Sequence, residues 1–146
     1  MSELKNPILR EVGALARCIQ SISDIKYREL NLQRGQFIYL TRVCENPGIN
    51  QIDLSHLLKV DKTTTTKAVQ KLLAEDYVRR ERDTNDKRIW HLFPTEKALA
   101  VYPLIIEEEN RYIDLCFSGF SAEERAAVVA LTGRMRRNIE EYWLEF

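Results

Sequence analysis

Apolar side chains recur at Ile8, Val12, Leu15, Ile19, Ile22 and Ile25, in steps of three and four that trace one face of a long helix. Asn6-Pro7 opens it, since Asn can cap and Pro lacks only an N–H that the first turn leaves unpaired anyway. The pattern carries this helix to about Leu30. A denser apolar stretch, Gln36 to Cys44, predicts a shorter and more buried second helix, stopped by Asn46-Pro47-Gly48. Residues 50–58 predict a short third helix, Lys59-Val60 a bend, and Asp61 the N-cap of a fourth helix from Lys62 to about Asp76.

The period then changes. Val78 to Arg82 and Ile89 to Phe93 read as extended, and Asp83-Thr84-Asn85-Asp86-Lys87 between them is turn chemistry, so a β-hairpin is predicted. Pro94 ends the second strand because it cannot donate to the ladder. Thr95 caps a fifth helix to about Phe117, with Pro103 a candidate kink. Ser118-Gly119-Phe120 breaks the chain, and Ser121-Ala122-Glu123-Glu124 is a capping box for a last helix. The expected fold is mainly α with a small β-hairpin wing. A winged helix-turn-helix DNA-binding domain would span 33–99. The long helices of 1–32 and 100–146 carry more apolar surface than one small domain needs, which fits a dimerisation region.

The fourth helix separates cleanly by angle at 100° per residue. Thr65, Ala68, Val69 and Leu72 fall on one side and belong to the core. Thr63, Lys67 and Gln70 fall opposite, flanked by Thr66 and Lys71, and no acidic residue appears before Glu75. Hydroxyl, ammonium and amide groups are what base edges and phosphates accept. The helix start adds free N–H groups and the positive end of the dipole, within reach of Lys62 and Thr64. Four successive threonines, Thr63 to Thr66, are poor helix formers, and a tolerated cost suggests a use. The hairpin tip supplies Asp86, Lys87 and Arg88. An Arg there can enter a minor groove, and Asp86, two residues before it, can accept from the guanidinium and hold it.

Charge supports this placement. The chain is neutral, with 22 basic and 22 acidic side chains. Yet residues 59–90 hold nine Lys/Arg against six Asp/Glu, and residues 101–146 hold five against nine. The basic middle is where an anionic partner would sit.

The stretch from Asn50 to Ala98 resembles the winged helix-turn-helix of the multiple-antibiotic-resistance regulator (MarR) family. The matching residues are Val60-Asp61-Lys62-Thr63-Thr64, Asp83 with Asp86-Lys87-Arg88, and Pro94-Thr95-Glu96-Lys97; the long outer helices match as well. The resemblance implies a cytoplasmic homodimer on a pseudo-palindromic duplex operator, a repressor released by a small-molecule effector or an oxidant. It casts Arg88 as the minor-groove arginine, Asp86 as its orienting carboxylate, and Thr63, Thr66, Lys67 and Gln70 as the outward recognition positions. Lys87 stands where the family commonly has Arg, Ala98 where it has Gly, and Lys59 where the helix-helix turn usually has Gly, the residue for which φ > 0 is free.

Two rival functions share the fold: a winged-helix module that docks a protein instead of DNA, and a thiol redox sensor. For the second, Cys18 is the candidate, but it lies mid-helix at the edge of the apolar stripe and reads as a buried small hydrophobe; Cys44 and Cys116 read as core. Tyr27, Phe37, Tyr39, Tyr102 and Tyr112 could line an effector cavity and otherwise belong to the core. His56 and His91 lack a His or Cys neighbour in sequence and read as structural, so neither a metal nor a cofactor is expected. No catalytic motif such as G-x-S-x-G, H-E-x-x-H or a P-loop occurs, no enzyme is expected, and neither a secretory leader nor a membrane-spanning run is seen.

Overall fold

The computed structural model describes all residues, 1–146. The order is α1 (Ile8–Lys26), α2 (Gln36–Glu45), β1 (Ile49–Asn50), α3 (Gln51–Leu58), α4 (Lys62–Ala74), β2 (Val78–Arg82), β3 (Trp90–Pro94), α5 (Glu96–Cys116) and α6 (Ala122–Trp143). The backbone divides into two compact units, Met1–Glu108 and Glu109–Phe146, with the boundary inside α5.

In the first unit Leu32, Leu40, Val43, Leu54, Val69, Leu72, Tyr77, Leu92 and Ile105 close on one another and are almost wholly shielded. The sheet has strand order β1-β3-β2, with both pairings antiparallel. The hairpin register sets Arg82 opposite Trp90, Glu81 opposite His91 and Arg79 opposite Phe93. β1 was not foreseen. It is two residues long, too short to alternate visibly, and joins the sheet edge through Ile49 opposite Leu92.

Two helices end earlier than their patterns predict. α1 stops at Lys26, and residues 27–35 form turns with Asn31 and Arg34 at φ 57° and 60°. The Asp24 carboxylate accepts the Arg34 N–H at 2.7 Å, and the Tyr77 hydroxyl donates to the Leu30 carbonyl at 2.6 Å. Leaving the helix here lets Leu32 turn fully inward. α4 stops at Ala74. Asp76 takes φ 61°, and the Tyr77 N–H returns to the Leu72 carbonyl at 2.9 Å, which starts β2 with Tyr77 and Val78 buried.

The α3–α4 turn needs a left-handed residue and has Lys59, at φ 59° and ψ 45°. The Val60 N–H bonds to the Ser55 carbonyl at 2.9 Å, and Lys59 Nζ donates to the His56 carbonyl at 2.6 Å. The turn is therefore made in the usual geometry, with the steric cost of a Cβ left in place.

In the second unit Ser121 and Glu124 form the predicted capping box. α6 buries no residue, and Val128, Val129, Leu131, Met135 and Ile139 are exposed. In the first unit α1 buries only Ser23, and its predicted apolar face, Ile8, Val12, Leu15, Ile22 and Ile25, is exposed as well. Cys18 and Cys116 are exposed, against the expectation of buried thiols, because the faces that carry them have no cover within one copy of the chain. Cys44 is half-buried, and burial, then the Glu45 charge, pushes its thiol up to about 11. The tyrosines at 27, 39 and 112 are buried as expected, while Phe37 and Tyr102 are partly so.

Replacing Lys59 by Gly removes the left-handed penalty and is expected to stabilise the fold by about 1 kcal/mol. Urea unfolding of both forms at one protein concentration checks this, and an unchanged or lower midpoint would contradict the strained turn.

Candidate nucleic-acid interface

α4 begins at Asp61, whose carboxylate accepts from Thr64 twice, from the backbone N–H at 2.8 Å and from the hydroxyl at 2.8 Å. These bonds hold the Asp61 carboxyl below its usual range. Thr65, Ala68, Val69 and Leu72 are the buried residues of α4, the four that the angular reading placed inward. Thr63, Lys67, Gln70 and Lys71 are exposed, as are Lys62 and Thr64. Thr66 is half-buried, and its hydroxyl donates to the Lys62 carbonyl at 2.9 Å and reaches Gln51 Oε1 at 3.3 Å. Gln51, at the start of α3, is thus tied to α4, which nothing in its local sequence signals.

The hairpin tip is built around two carboxylates. Asp83 Oδ2 accepts the backbone N–H groups of Asn85 at 3.0 Å and Asp86 at 2.8 Å. Asp83 Oδ1 lies 2.8 Å from His91 Nε2. Asp86 takes three bonds from Arg88, from its backbone N–H at 3.0 Å, Nε at 3.1 Å and Nη2 at 3.0 Å. This bidentate fork fixes the direction of a guanidinium whose side chain is 90% exposed. Pairing with Asp86 raises the Arg88 pKa further above an already high value. Lys87 is exposed beside it.

A second set of cations lies on β2. The Arg80 and Arg82 guanidiniums both sit 4.4 Å from the Trp90 ring centroid, and Arg79 sits 4.6 Å from that of Phe93. Arg79 also pairs with Glu81 at 2.6 Å. Arg80 and Arg82 were not among the candidate site residues. The predicted hairpin contained the signal, because its register makes Trp90 their cross-strand neighbour. Trp90 and Arg88 also line a cleft of about 370 Å³ with Asn50, Gln51, Ile52, Asp53 and Ile89. The cleft brings the start of α3 beside the wing. No three His, Cys, Asp or Glu side chains come together as a metal site.

The model of the MarR family matches residues 32–90 of this chain. The uncharacterized HTH-type transcriptional regulator YybA of Bacillus subtilis (strain 168) is 45% identical over 94% of this chain and 92% of its own. The chain belongs to the MarR family. Solved MarR-family structures superpose along almost its whole length. A MarR protein from Peptoclostridium difficile DA00132 is 55% identical, with a TM-score of 0.96 over 99% of this chain and 95% of that one. A candidate MarR family transcriptional regulator from Listeria monocytogenes, complexed with a 26mer DNA, is 39% identical, with a TM-score of 0.91 over 99% and 93%. As a MarR-family transcriptional regulator the chain has a mostly helical fold with a small three-stranded antiparallel sheet. No helix in it is long and apolar enough to cross a membrane.

The wing turn depends on an ionised Asp83. Its carboxyl is held at about 2, first by His91 and then by the two backbone N–H groups. A depressed folded pKa means that this support is complete above the ordinary 3.8 and is lost as pH falls toward about 2. The amides of Asn85 and Asp86 are expected to lose hydrogen-exchange protection across that window, and the Asp83→Asn variant is expected to show no such transition. Protection that does not decline at all as pH falls from 3.8 to about 2 would refute the assignment.

Proposed function

We propose that two copies of this chain bind one pseudo-palindromic duplex operator in the cytoplasm and act there as a repressor released by a small ligand. The observation that carries the reading is the outward face of α4, where Thr63, Lys67, Gln70 and Lys71 stand exposed with no acidic side chain from Lys62 to Ala74. Such a face offers donors to base edges and counter-charge to phosphates, and a solvated helix normally mixes both signs. Lys62, Thr64 and Lys71 would hold phosphates; Thr63, Thr66, Lys67 and Gln70 would read bases; Arg88, aimed by Asp86 and flanked by Lys87, would enter the minor groove. The Listeria monocytogenes relative solved with DNA supports this choice over a protein-docking module.

Residues 33–99 are the DNA-binding part of this reading, and residues 1–32 and 100–146 the dimerisation part. The exposed apolar rows of α1 and α6 support a second copy as their cover. A dimer must set its two recognition helices about one helical turn apart, roughly 34 Å, to reach successive major grooves. A ligand that changes this spacing releases the operator. No catalytic step belongs to this function.

Selection of bound duplexes from a random pool tests the reading directly, and inverted repeats are expected among the winners. Affinity for a selected duplex should fall log-linearly with salt. Arg88→Ala is expected to weaken binding about tenfold or more across sequences, whereas Gln70→Ala should relax preference at one base position. Sedimentation should give twice 17.1 kDa. Absence of binding at low salt would decide for the protein-docking module.

A further inference from the structure

His91 has an oxygen acceptor at each ring nitrogen. Nδ1 lies 2.7 Å from the Gly48 carbonyl, and Nε2 lies 2.8 Å from Asp83 Oδ1. A neutral imidazole has one donor and one acceptor nitrogen, so only the imidazolium can donate to both. Loss of the proton turns one contact into a lone pair facing an oxygen.

The contacts do not stop at Asp83. Its other oxygen accepts the N–H groups that close the wing turn, including that of Asp86. Asp86 then carries all three bonds that hold Arg88. A continuous chain of polar contacts thus runs from the loop before β1, through His91 and Asp83, to the guanidinium at the wing tip. Arg88 bonds nothing besides Asp86, so its direction is inherited from this chain.

We infer that His91 is a positioning residue for the wing: as an imidazolium it ties the hairpin tip to the sheet and aims Arg88 at the duplex, and loss of its proton slackens the tip and weakens DNA binding. The inference rests on the DNA reading above. The charges bearing on the ring are Asp83, in contact, and Glu81, opposite it on β2. β1 and its preceding loop offer Asn50 and Gly48, which do not titrate, and α2 and α3, which also pack on β3, contribute no charge to its shift. The Asp83 bond, followed by the Gly48 carbonyl, raises the His91 pKa above 6.5. The sign follows: the support is complete below 6.5 and is lost as pH rises through the higher folded value. By linkage, a duplex that needs the aimed Arg88 must raise the His91 pKa further on binding. The two effects are one coupling free energy, so the loss of affinity across the titration measures that rise.

The test uses the full chain at fixed ionic strength, with a fluorescein-labelled duplex taken from its own selection at pH 6. Wild type should lose affinity several-fold as pH rises from 6 to about 9. His91→Gln, whose amide does not titrate, should be flat across that range. Arg88→Ala should bind weakly and also be flat, since it has no aimed group left to lose. A pH response that survives in Arg88→Ala would assign the effect to loss of a positive charge at long range and overturn positioning. A flat wild-type profile would overturn the inference alone, whereas no binding at any pH would overturn it together with the DNA reading. Nitrogen-detected NMR of the unmutated chain guards against a variant that fails to fold. Below its titration both His91 nitrogens should carry protons, and the Arg88 Nε–H and the Asn85 and Asp86 amides should shift with the His91 midpoint. An Arg88 signal indifferent to that midpoint would refute the coupling.

Discussion

The row Thr65, Ala68, Val69 and Leu72 is sealed against the core, and this burial fixes the rotation of α4 about its own axis. Every outward side chain then follows from the helical period, since positions near 180° away have nowhere else to point. Thr65 can occupy the buried row because its hydroxyl donates to the Asp61 carbonyl at 2.9 Å. Thr64 and Thr66 likewise bind their hydroxyls to the chain one turn back. Local bonds therefore offset part of the poor propensity of the threonine run, and only the Thr63 hydroxyl makes no bond within the chain. Asp61 anchors both effects, as cap and as carbonyl acceptor.

A neutral chain can present a cationic surface when its carboxylates are consumed locally. Asp86 is spent on Arg88, Asp83 on His91 and the turn amides, and Glu81 on Arg79. Each pair is partly exposed and contributes little to stability. What it contributes is direction, because a bidentate fork orders a side chain that would otherwise sweep a wide cone. Arg80 and Arg82 are ordered differently, by stacking on Trp90, which leaves their charge unpaired.

Most of the fold was legible because its signals are local. The α4 stripe, the Asp61 and Ser121 caps, the hairpin and the Asp86–Arg88 spacing all lie within a few residues, where periodicity and side-chain reach decide the outcome. Features set by distant parts of the chain were not legible. β1 exists only because β3 offers it an edge. α1 ends early because Leu32 is needed in the core and Tyr77, 47 residues on from Leu30, donates its hydroxyl proton to the Leu30 carbonyl. His91 looked structural from its neighbours in sequence, and its bond to Gly48 spans 43 positions. The exposure of Cys18 has the same origin, since periodicity marks a face as apolar without saying which molecule covers it.

That last ambiguity bears on function. Helices of 19 and 22 residues with apolar faces open to water gain little from packing in one copy, and in proteins most helical stability comes from packing of an amphipathic face. In the proposed dimer the same contacts would both stabilise α1 and α6 and set the separation of the two recognition faces. Stability and operator geometry then share one interface, so an effector does not need to touch a DNA-contacting residue to release the duplex. It needs only to favour a second packing of the outer helices, and the differential affinity for the two packings limits how far it can shift binding.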